Sequence, residues 1–371
     1  MKKYKNETEV KIKTLEDKIL NTDYAPPIVP EKKTQENTSK RVRNNSYISM
    51  VNEFLGVGGF SKVYRFKKEK DKAVKKIMLD PLIYSTKLPI LNSVKREVFG
   101  MVKCACSHTI KLYEVLQNKA QDTFYLLMEL CEGNLEHLMK KLGRPFKTLE
   151  VKEILNQLNE VFYKLYTNNI IHRDIKPTNI LFIEEKNSNK KTNKDLFDGK
   201  NYSFKLTDFG VCLPLYDAKY SISQFMGTLF FMAPEIYDKR ATVELPMYTT
   251  KIDLFSLGES ILNIMGFITD PKPIDYNKCF ELKNNNTLFN GDYDDQLLAD
   301  LIFNNLLVPD PDYRASWELY FLHPFFEKRS EDSQGRRCQD RPWPGSNGDS
   351  RRTGCPSRHP RCWGCTEHRT E

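Results

Sequence analysis

The sequence predicts an α+β fold in which a strand-rich part precedes a helix-rich part. Between about residues 47 and 130, short apolar stretches rich in β-branched and aromatic residues alternate with polar turns. A longer segment, 149–169, carries apolar residues at helical spacing, and the pattern stays mainly helical from about residue 215. This order predicts two lobes, a β-rich one followed by a helical one.

The predicted elements of the first part follow in order along the chain. Five strand-like stretches are separated by charged or polar residues. One helix-like segment, 91–104, lies between the third and the fourth of them. The strand-like stretches are "YISMVNEFL" (47–55), "KVYRFK" (62–67), "KAVKKIML" (72–79), "IKLYEVL" (110–116) and "FYLLMEL" (124–130).

The second part begins with the amphipathic segment 149–169. Its apolar residues recur every three or four positions, so we expect one buried helix face. Two strand-like pieces, "NILFI" (179–183) and "FKLTDF" (204–209), follow it, and the polar run 184–203 between them reads as a flexible surface insertion. The predicted helix face consists of Val151, Ile154, Leu155, Leu158, Val161, Phe162 and Leu165.

The excess of positive charge lies at the two ends of the chain. The formal net charge is +8 over 371 residues; residues 1–46 contribute +4 and residues 329–371 contribute +3, which leaves +1 for the body. A nearly neutral body argues against nucleic acid as the main partner. No apolar run is long enough to span a bilayer, and the first residues lack an apolar signal region. We therefore expect an intracellular protein with no membrane partner.

These patterns divide the chain into three segments. Residues 1–46, rich in Pro, Lys and Asn, read as a disordered basic arm. Its "KRVR" (40–43) is either a nuclear-import patch or a solvated charge run, so both a cytoplasmic and a nuclear location stay open. The body is one domain over about 47–328, with its two lobes at about 47–130 and about 131–328.

Residues 329–371 differ from the body in composition. They contain no Lys, Leu, Ile, Val or Phe, so they cannot form a core, and we expect them to be disordered. Two interpretations stay open: a small zinc site, or a non-native junction, since the body favours residues of AT-rich codons and the tail those of GC-rich codons. The nine cysteines do not form a disulfide framework and read as reduced thiols. The candidate zinc ligands are Cys355, His359, Cys362, Cys365 and His368.

A glycine-rich stretch, "EFLGVGGFSKVY" (53–64), lies between the first two predicted strands. Gly56, Gly58 and Gly59 nearly complete a G-x-G-x-x-G pattern, but Ser61 occupies the last position. A strand follows instead of a helix, and no Gly-Lys-Ser/Thr ending is present, which excludes the dinucleotide-binding and Walker loops. A hairpin remains, either as a plain turn or as a loop that holds phosphate.

Four further motifs follow in order: "KAVKKI", "IIHRDIKPTNILF", "FKLTDFGVC" and "FFMAPEIY". In this order and spacing they closely resemble the eukaryotic protein kinase family over about residues 47–328. Two later marks, Asp253 in "KIDLFSLGE" and Arg314 in "PDPDYR", belong to the same resemblance. It implies the kinase fold, with a small β-rich N-lobe that has one main helix and a larger helical C-lobe.

The resemblance implies that the protein uses ATP and Mg²⁺. Phosphoryl transfer requires positioning and charge neutralisation more than covalent chemistry. Lys75 would hold the α- and β-phosphates and Glu97 would anchor that lysine. Asp208 and Asn179 would bind Mg²⁺, which prefers hard oxygen ligands.

The same resemblance assigns the acceptor side of the site. Asp174 would accept or orient the proton of the substrate hydroxyl, and Lys176 would neutralise the transferred group. The lysine in "DIKPTN" and Thr228 in "MGTLFF" are typical of serine/threonine kinases, in which the threonine contacts the catalytic Asp and Lys. We therefore expect protein substrates phosphorylated on serine or threonine.

The nucleotide cleft is also assigned by the resemblance. Adenine would lie between apolar side chains of the two lobes, its edge would bond the backbone after the fifth strand, and the glycine loop would cover the phosphates. The residues so assigned are Leu55, Gly56, Gly58, Gly59, Ser61, Val63, Ala73, Met128, Glu129, Cys131 and Leu181.

Regulation and the alternative function complete the sequence-based expectations. Arg173 before Asp174 is typical of kinases activated by a phosphate on the segment 208–235, where Ser221 and Ser223 are the candidates. The alternative to an active enzyme is a catalytically inert kinase domain that acts as a scaffold. The oligomeric state is open, and a monomer is the simplest expectation.

Overall fold

The computed structural model describes most of the predicted domain. Every described residue belongs to the first of the chain's two units, Met1–Glu327, and the second unit, Lys328–Glu371, lies outside the described residues. The predicted arm 1–46 and the candidate zinc ligands of the tail therefore fall outside them as well. The described residues are 51–58, 61–79, 88–118, 123–185, 196–215, 227–237, 249–268, 281–284 and 291–327.

The first part of the fold contains a five-stranded antiparallel sheet and a helix. The spatial order of its strands is β1-β2-β3-β5-β4. Helix α1 (Leu88–Lys103) connects β3 to β4. The strands are β1 (Val51–Val57), β2 (Ser61–Phe66), β3 (Lys72–Met78), β4 (Leu112–Gln117) and β5 (Thr123–Glu129).

Helix α1 begins three residues before the predicted segment 91–104. Pro89 falls in its first turn, where the missing backbone N–H is not needed. The apolar side chains at helical spacing are buried against the sheet and against the second part of the fold, and they give α1 a fixed orientation. These buried residues are Ile90, Val94, Val98 and Met101.

The second part of the fold is mainly helical, which confirms the predicted two-lobed α+β class. Two small sheets accompany the helices: β6 and β9 flank β8, and β7 pairs with β10. The helices are α2 (Leu135–Leu142), α3 (Thr148–Thr167), α4 (Pro234–Tyr237), α5 (Lys251–Ile264), α6 (Tyr293–Asp300) and α7 (Trp317–Phe321). The strands are β6 (Gly133–Asn134), β7 (Ile170–Ile171), β8 (Ile180–Glu184), β9 (Tyr202–Leu206) and β10 (Leu213–Pro214).

Helices α3 and α5 form the core of this second part. All seven residues of the predicted α3 face are buried. Helix α5 is buried on nearly every side, including its polar residues Asp253 and Glu259. Such a helix is fixed by its neighbours on every side, so it can hold polar groups in place beneath a site. In the described part of the chain, no helix is long and apolar enough to cross a membrane.

Both ends of the polar run 184–203 belong to the fold, although its composition predicts a surface insertion. Glu184 still belongs to β8, and residues 196–203 pack on the second part of the fold. Phe197 is buried, and its backbone N–H donates to Glu150 Oε1 at 2.7 Å. Arg144 donates twice to the same carboxylate, at 2.8 and 2.9 Å. The predicted boundary at 203 is therefore wrong, because an aromatic residue within the polar run reaches the core.

Candidate active site

Strand β3 and helix α1 bring Lys75 and Glu97 together. Lys75 Nζ donates to Glu97 Oε1 at 2.5 Å and to Asp208 Oδ1 at 3.1 Å. Burial alone would lower the pKa of Lys75, but the charges of Glu97 and Asp208 raise it above its ordinary value, so the lysine is protonated. Burial raises the pKa of Glu97, and the positive charge of Lys75 opposes that rise. The same positive charge lowers the pKa of Asp208, which keeps this carboxylate ionised.

Asp208 lies between β9 and a 3₁₀ turn, Phe209–Val211. Its φ of 64° is in the left-handed region, which residues other than glycine rarely adopt. Phe209 anchors the turn: its ring is buried, and its centroid lies 4.8 Å from that of His172. The ring also packs against Gly100 of α1, where an added Cβ would lie 2.6 Å from Phe209 Cδ1. Local packing therefore fixes the direction of the Asp208 side chain.

The loop between β7 and β8 carries Asp174 and Asn179. The buried carboxylate of Asp253 on α5 accepts hydrogen bonds from the backbone N–H groups of His172 at 2.7 Å and Arg173 at 2.9 Å. Asn179 Nδ2 donates to the carbonyl oxygen and to Oδ2 of Asp174, both at 2.8 Å. Helix α5 thus fixes the start of the loop, and Asn179 fixes its reactive carboxylate.

Thr228 completes the surroundings of Asp174, as predicted. Asp174 Oδ1 accepts from the backbone N–H of Thr228 at 3.0 Å and from its hydroxyl at 2.7 Å. Lys176 Nζ lies 2.8 Å from Asp174 Oδ2 and donates to Thr228 Oγ1 at 2.5 Å. The carboxylate, the ammonium group and the hydroxyl therefore form one closed cluster.

Asn179 and Asp208 present oxygens that suit a divalent cation. The amide nitrogen of Asn179 is used by Asp174, and no hydrogen-bond donor among the described residues reaches Asn179 Oδ1. Lys75 takes Oδ1 of Asp208, and Oδ2 likewise has no donor among the described residues. The Asp208 side chain is 45% exposed. Hard amide and carboxylate oxygens are the ligands that Mg²⁺ prefers, and these two residues fit it.

The apolar residues predicted to line the cleft lie on neighbouring strands. Ala73 of β3 pairs with Met128 of β5, and both side chains are buried. Val63 of β2 pairs with Lys75, which brings an apolar residue next to the predicted phosphate-binding lysine. Leu181 lies on β8 in the second part of the fold. Leu55 of β1, by contrast, is 38% exposed, as expected for a residue at the edge of an open cleft.

The segment after β5 offers a free backbone donor. Glu129 at the end of β5 donates its N–H to the Lys111 carbonyl, and Glu132 donates its N–H to Phe182. Among the described residues, no acceptor takes the N–H of Cys131. The Cys131 thiol itself is uncharged, because burial raises its pKa to about 12.

The glycine-rich stretch forms the predicted hairpin between β1 and β2. Gly58 N donates to the Ser61 carbonyl at 2.8 Å, and Gly56 pairs with Val63 across the hairpin. An added Cβ at Gly58 would lie 2.8 Å from Ser61 Oγ, so a side chain there would crowd the turn. Gly59 lies outside the described residues.

Several residues that position the site have no role that their sequence motifs reveal. Asp253 was marked by its motif, but only the fold reveals that it bonds the loop of Asp174. Arg314, also marked, is buried and forms a bidentate pair with Glu235 at 2.7 and 2.9 Å, beneath the segment that follows Thr228. Ser93 has no motif, and its contact with the Asp208 segment depends on the tertiary packing of α1.

Comparison with known proteins gives the family. Residues 49–326 match the protein kinase domain. The chain is 28% identical to each of three relatives. They are calcium-dependent protein kinase 6 of Plasmodium berghei, serine/threonine-protein kinase ppk23 of Schizosaccharomyces pombe and serine/threonine-protein kinase ATG1c of Arabidopsis thaliana. The matches cover 78%, 69% and 76% of the present chain, respectively.

These matches concern the kinase domain rather than whole proteins. The chain spans 18%, 52% and 36% of the lengths of these three relatives. Their substrates and partners therefore do not follow from the match. The family match confirms the predicted family: the chain belongs to the protein kinase family.

Proposed function

We propose that this chain transfers the γ-phosphoryl group of Mg·ATP to serine and threonine hydroxyls of proteins. The observation that supports this most strongly is the pair of side-chain clusters at the cleft. Lys75 bonds both Glu97 and Asp208, and Asp174 bonds Thr228 in a cluster shared with Lys176. Family membership gives ATP and protein substrates in general terms, and the residue roles are our proposal.

On the nucleotide side, Asp208 and Asn179 would hold Mg²⁺ through their uncommitted oxygens. The cation, when bound, neutralises part of the phosphate charge. Lys75 would contribute a second positive charge to the phosphates, and Glu97 keeps it directed into the cleft. A protonated lysine held by two carboxylates cannot move freely, so its ammonium group would be preorganised for the phosphates.

On the acceptor side, Asp174 would orient the substrate hydroxyl and accept its proton. Its Oδ1 already accepts two hydrogen bonds from Thr228 and its Oδ2 one from Asn179, so its orientation is fixed before substrate binds. Lys176, next to it, would neutralise negative charge on the transferred group. Because Thr228 belongs to the segment that would carry the peptide, its bond to Asp174 couples peptide docking to the catalytic carboxylate.

The adenine ring would occupy the apolar cleft. Leu55, Val63 and Ala73 would cover it from the first lobe, Leu181 from the second, and Met128 would close its inner end. The free N–H of Cys131 supports a hydrogen bond to the purine edge, with Glu129 contributing backbone beside it. Gly56, Gly58, Gly59 and Ser61 would form the lid over the phosphates, since backbone without bulky side chains can approach them closely.

The proposal also covers regulation, location and assembly. Phosphorylation of Ser221 or Ser223 would give Arg173 a charge-assisted partner, although both serines lie outside the described residues. The four cysteines that the described part of the chain contains are free thiols, which is typical of an intracellular, cytoplasmic or nuclear protein. We propose a monomer that acts on protein substrates.

A peptide library tests the proposed activity against an inert scaffold. The full chain is incubated with Mg·ATP and peptides that carry Ser, Thr or Tyr, with Asp208→Ala as the matched control. We expect phosphate on Ser and Thr peptides with the wild type and a loss of about 10³-fold or more with the control. Equal transfer by both proteins would refute the assignment of Asp208, and absence of transfer by a folded wild type would favour the scaffold.

A further inference from the structure

Helix α1 contacts the turn after Asp208, residues 209–212, through three residues spaced three or four positions apart on one helix face. Ser93 Oγ donates to the carbonyl oxygen of Gly210 at 2.9 Å. Cys212 Sγ donates to the carbonyl oxygen of Arg96 at 3.3 Å. Gly100 leaves room for the Phe209 ring, as its missing Cβ indicates.

The Ser93 hydroxyl lies beside the glycine that is also close to Asp208 and Glu97. A Cβ built on Gly210 would lie 2.9 Å from Ser93 Oγ, 3.5 Å from Asp208 Oδ1 and 3.7 Å from Glu97 Oε2. The hydroxyl and the two carboxylates therefore surround a single glycine. Gly210 is two residues after Asp208. A change in its position would move the Phe209–Gly210 peptide, and that movement would displace the Asp208 carboxylate.

The backbone at Asp208 needs such support. Its left-handed φ of 64° is unfavourable for an aspartate, so surrounding contacts must hold it. Inside the turn, Cys212 N donates to the Phe209 carbonyl at 3.0 Å. The bond from Ser93 connects this turn to α1, the helix that also carries Glu97.

We propose that Ser93 is a positioning residue for the reaction. Its hydroxyl connects the Asp208 turn to α1, so that Glu97 and Asp208 both stay within hydrogen-bond distance of Lys75. Ser93 touches no substrate and acts only through Gly210. This role rests on the proposed kinase function, but its structural part, the coupling of α1 to the turn, does not.

The kinetic test compares Ser93→Ala, Ser93→Thr and the control Asn92→Ala, which removes an exposed polar side chain from the same helix. The loss of one hydrogen bond predicts a kcat lower by a factor of about two to ten for Ser93→Ala. It also predicts a higher Mg²⁺ concentration for half-maximal activity. Ser93→Thr, which keeps the hydroxyl, should recover most of both values. A Ser93→Ala enzyme that matches Asn92→Ala in kcat and Mg²⁺ dependence would overturn the proposal, and so would a Ser93→Thr enzyme as slow as Ser93→Ala.

Amide hydrogen exchange tests the coupling without any turnover. Ser93→Ala should speed exchange at the backbone of 209–212 relative to the wild type, while Asn92→Ala and Ser93→Thr should not. Unchanged exchange in Ser93→Ala would refute the coupling. Because this measurement needs no activity, a wild type that fails to phosphorylate peptides would contradict the proposed function alone.

Discussion

Lys75 Nζ lies 2.5 Å from Glu97 Oε1 and thereby ties strand β3 to helix α1. Both partners are largely buried, at 12% and 3% exposure of their side chains. Breaking a buried ion pair leaves a charge without its partner in a medium of low dielectric constant. The pair therefore also affects Asp208, because Lys75 donates to Asp208 as well.

Replacing Glu97 should disable the site while the fold persists. Glu97→Gln leaves Lys75 with Asp208 as its remaining carboxylate, so the lysine should turn towards Asp208 and lose its alignment. We expect kcat/KM to fall by about 10²-fold, the effect of a misplacement of about 1 Å. Steady-state kinetics measure this, and Glu114→Gln, an exposed carboxylate on β4, is the control. A Glu97→Gln enzyme as active as Glu114→Gln would show that the pair has no positioning role.

The Thr228 hydroxyl should matter for turnover more than for nucleotide binding. Thr228→Ala removes the bonds that the hydroxyl makes to Asp174 and Lys176. We expect kcat to fall by about tenfold or more, with KM for ATP nearly unchanged, because each charge-assisted bond contributes about 1.5–3 kcal/mol. Thr228→Ser keeps the hydroxyl and should stay within about threefold of the wild type. Equal losses in the two variants would point to the methyl group instead.

Gly100→Ala should reverse the usual effect of replacing a helical glycine. Alanine inside a helix normally stabilises it by about 0.5–1 kcal/mol relative to glycine. Here the new Cβ would meet the Phe209 ring at 2.6 Å, so α1 or the ring must shift. We expect a lower melting temperature together with a lower kcat. A Gly100→Ala protein that melts higher and keeps its activity would contradict the tight fit of α1 on Phe209.

The pair between Arg314 and Glu235 should stabilise the second lobe. Arg314 is 1% exposed, and truncating it leaves Glu235 without its bidentate partner. Arg314→Leu should lower the free energy of unfolding by about 3–5 kcal/mol, as urea denaturation measures. Arg65→Leu, which breaks a surface pair with Glu53, should cost about 0–1 kcal/mol. Similar losses in the two variants would mean that the buried pair is not special.

Asp253 should give the fold a characteristic pH dependence. Burial raises its pKa from 3.8 to about 7, although the N–H groups of His172 and Arg173 act to lower it. Between about pH 4 and 7 the folded protein keeps a proton that the unfolded chain has lost. The contribution of Asp253 to stability is therefore complete below about pH 4, falls as the pH rises to about 7, and is level above it.

The variant Asp253→Asn isolates this contribution, because asparagine does not titrate. The free energy of unfolding of the wild type minus that of Asp253→Asn should decrease from about pH 5 to about pH 7 and then level off. Urea titrations across this range measure the difference. A difference that increases with pH would mean that the folded protein favours the ionised carboxylate.

The sequence motifs predict the residues proposed for the chemistry better than the residues that hold them in place. Lys75, Asp174, Asn179 and Asp208 each stand in a short motif, and the structure brings Lys75 to Asp208 and Asn179 to Asp174. Glu97 is predicted because it lies on the helix-like segment 91–104, between the third and fourth predicted strands. Ser93 and Gly100 have no local signature, because their roles depend on how α1 packs against the turn after Asp208. Contacts of that kind arise from tertiary structure and leave no pattern in the sequence.

The predicted elements succeed where a local pattern determines the structure and fail where a distant contact does. The α3 face followed from helical spacing alone, since the period of a helix is local. Residues 196–203 looked like insertion because their neighbours are polar, yet Phe197 reaches the core and Glu150 holds its backbone. That carboxylate comes from the start of α3, 47 residues earlier in the chain, and no local pattern predicts the contact.

The most direct test of the central claim is γ-phosphate transfer by the purified full chain and by Asp174→Asn. Both proteins receive labelled ATP, Mg²⁺ and a Ser/Thr peptide mixture, and the label is located by phosphoamino-acid analysis. We predict phosphoserine and phosphothreonine from the wild type and a loss of about 10²-fold or more for the variant, which keeps the shape of the side chain but lacks the base. Equal labelling by the two proteins, or label on tyrosine alone, would contradict the assignment of a serine/threonine kinase site centred on Asp174.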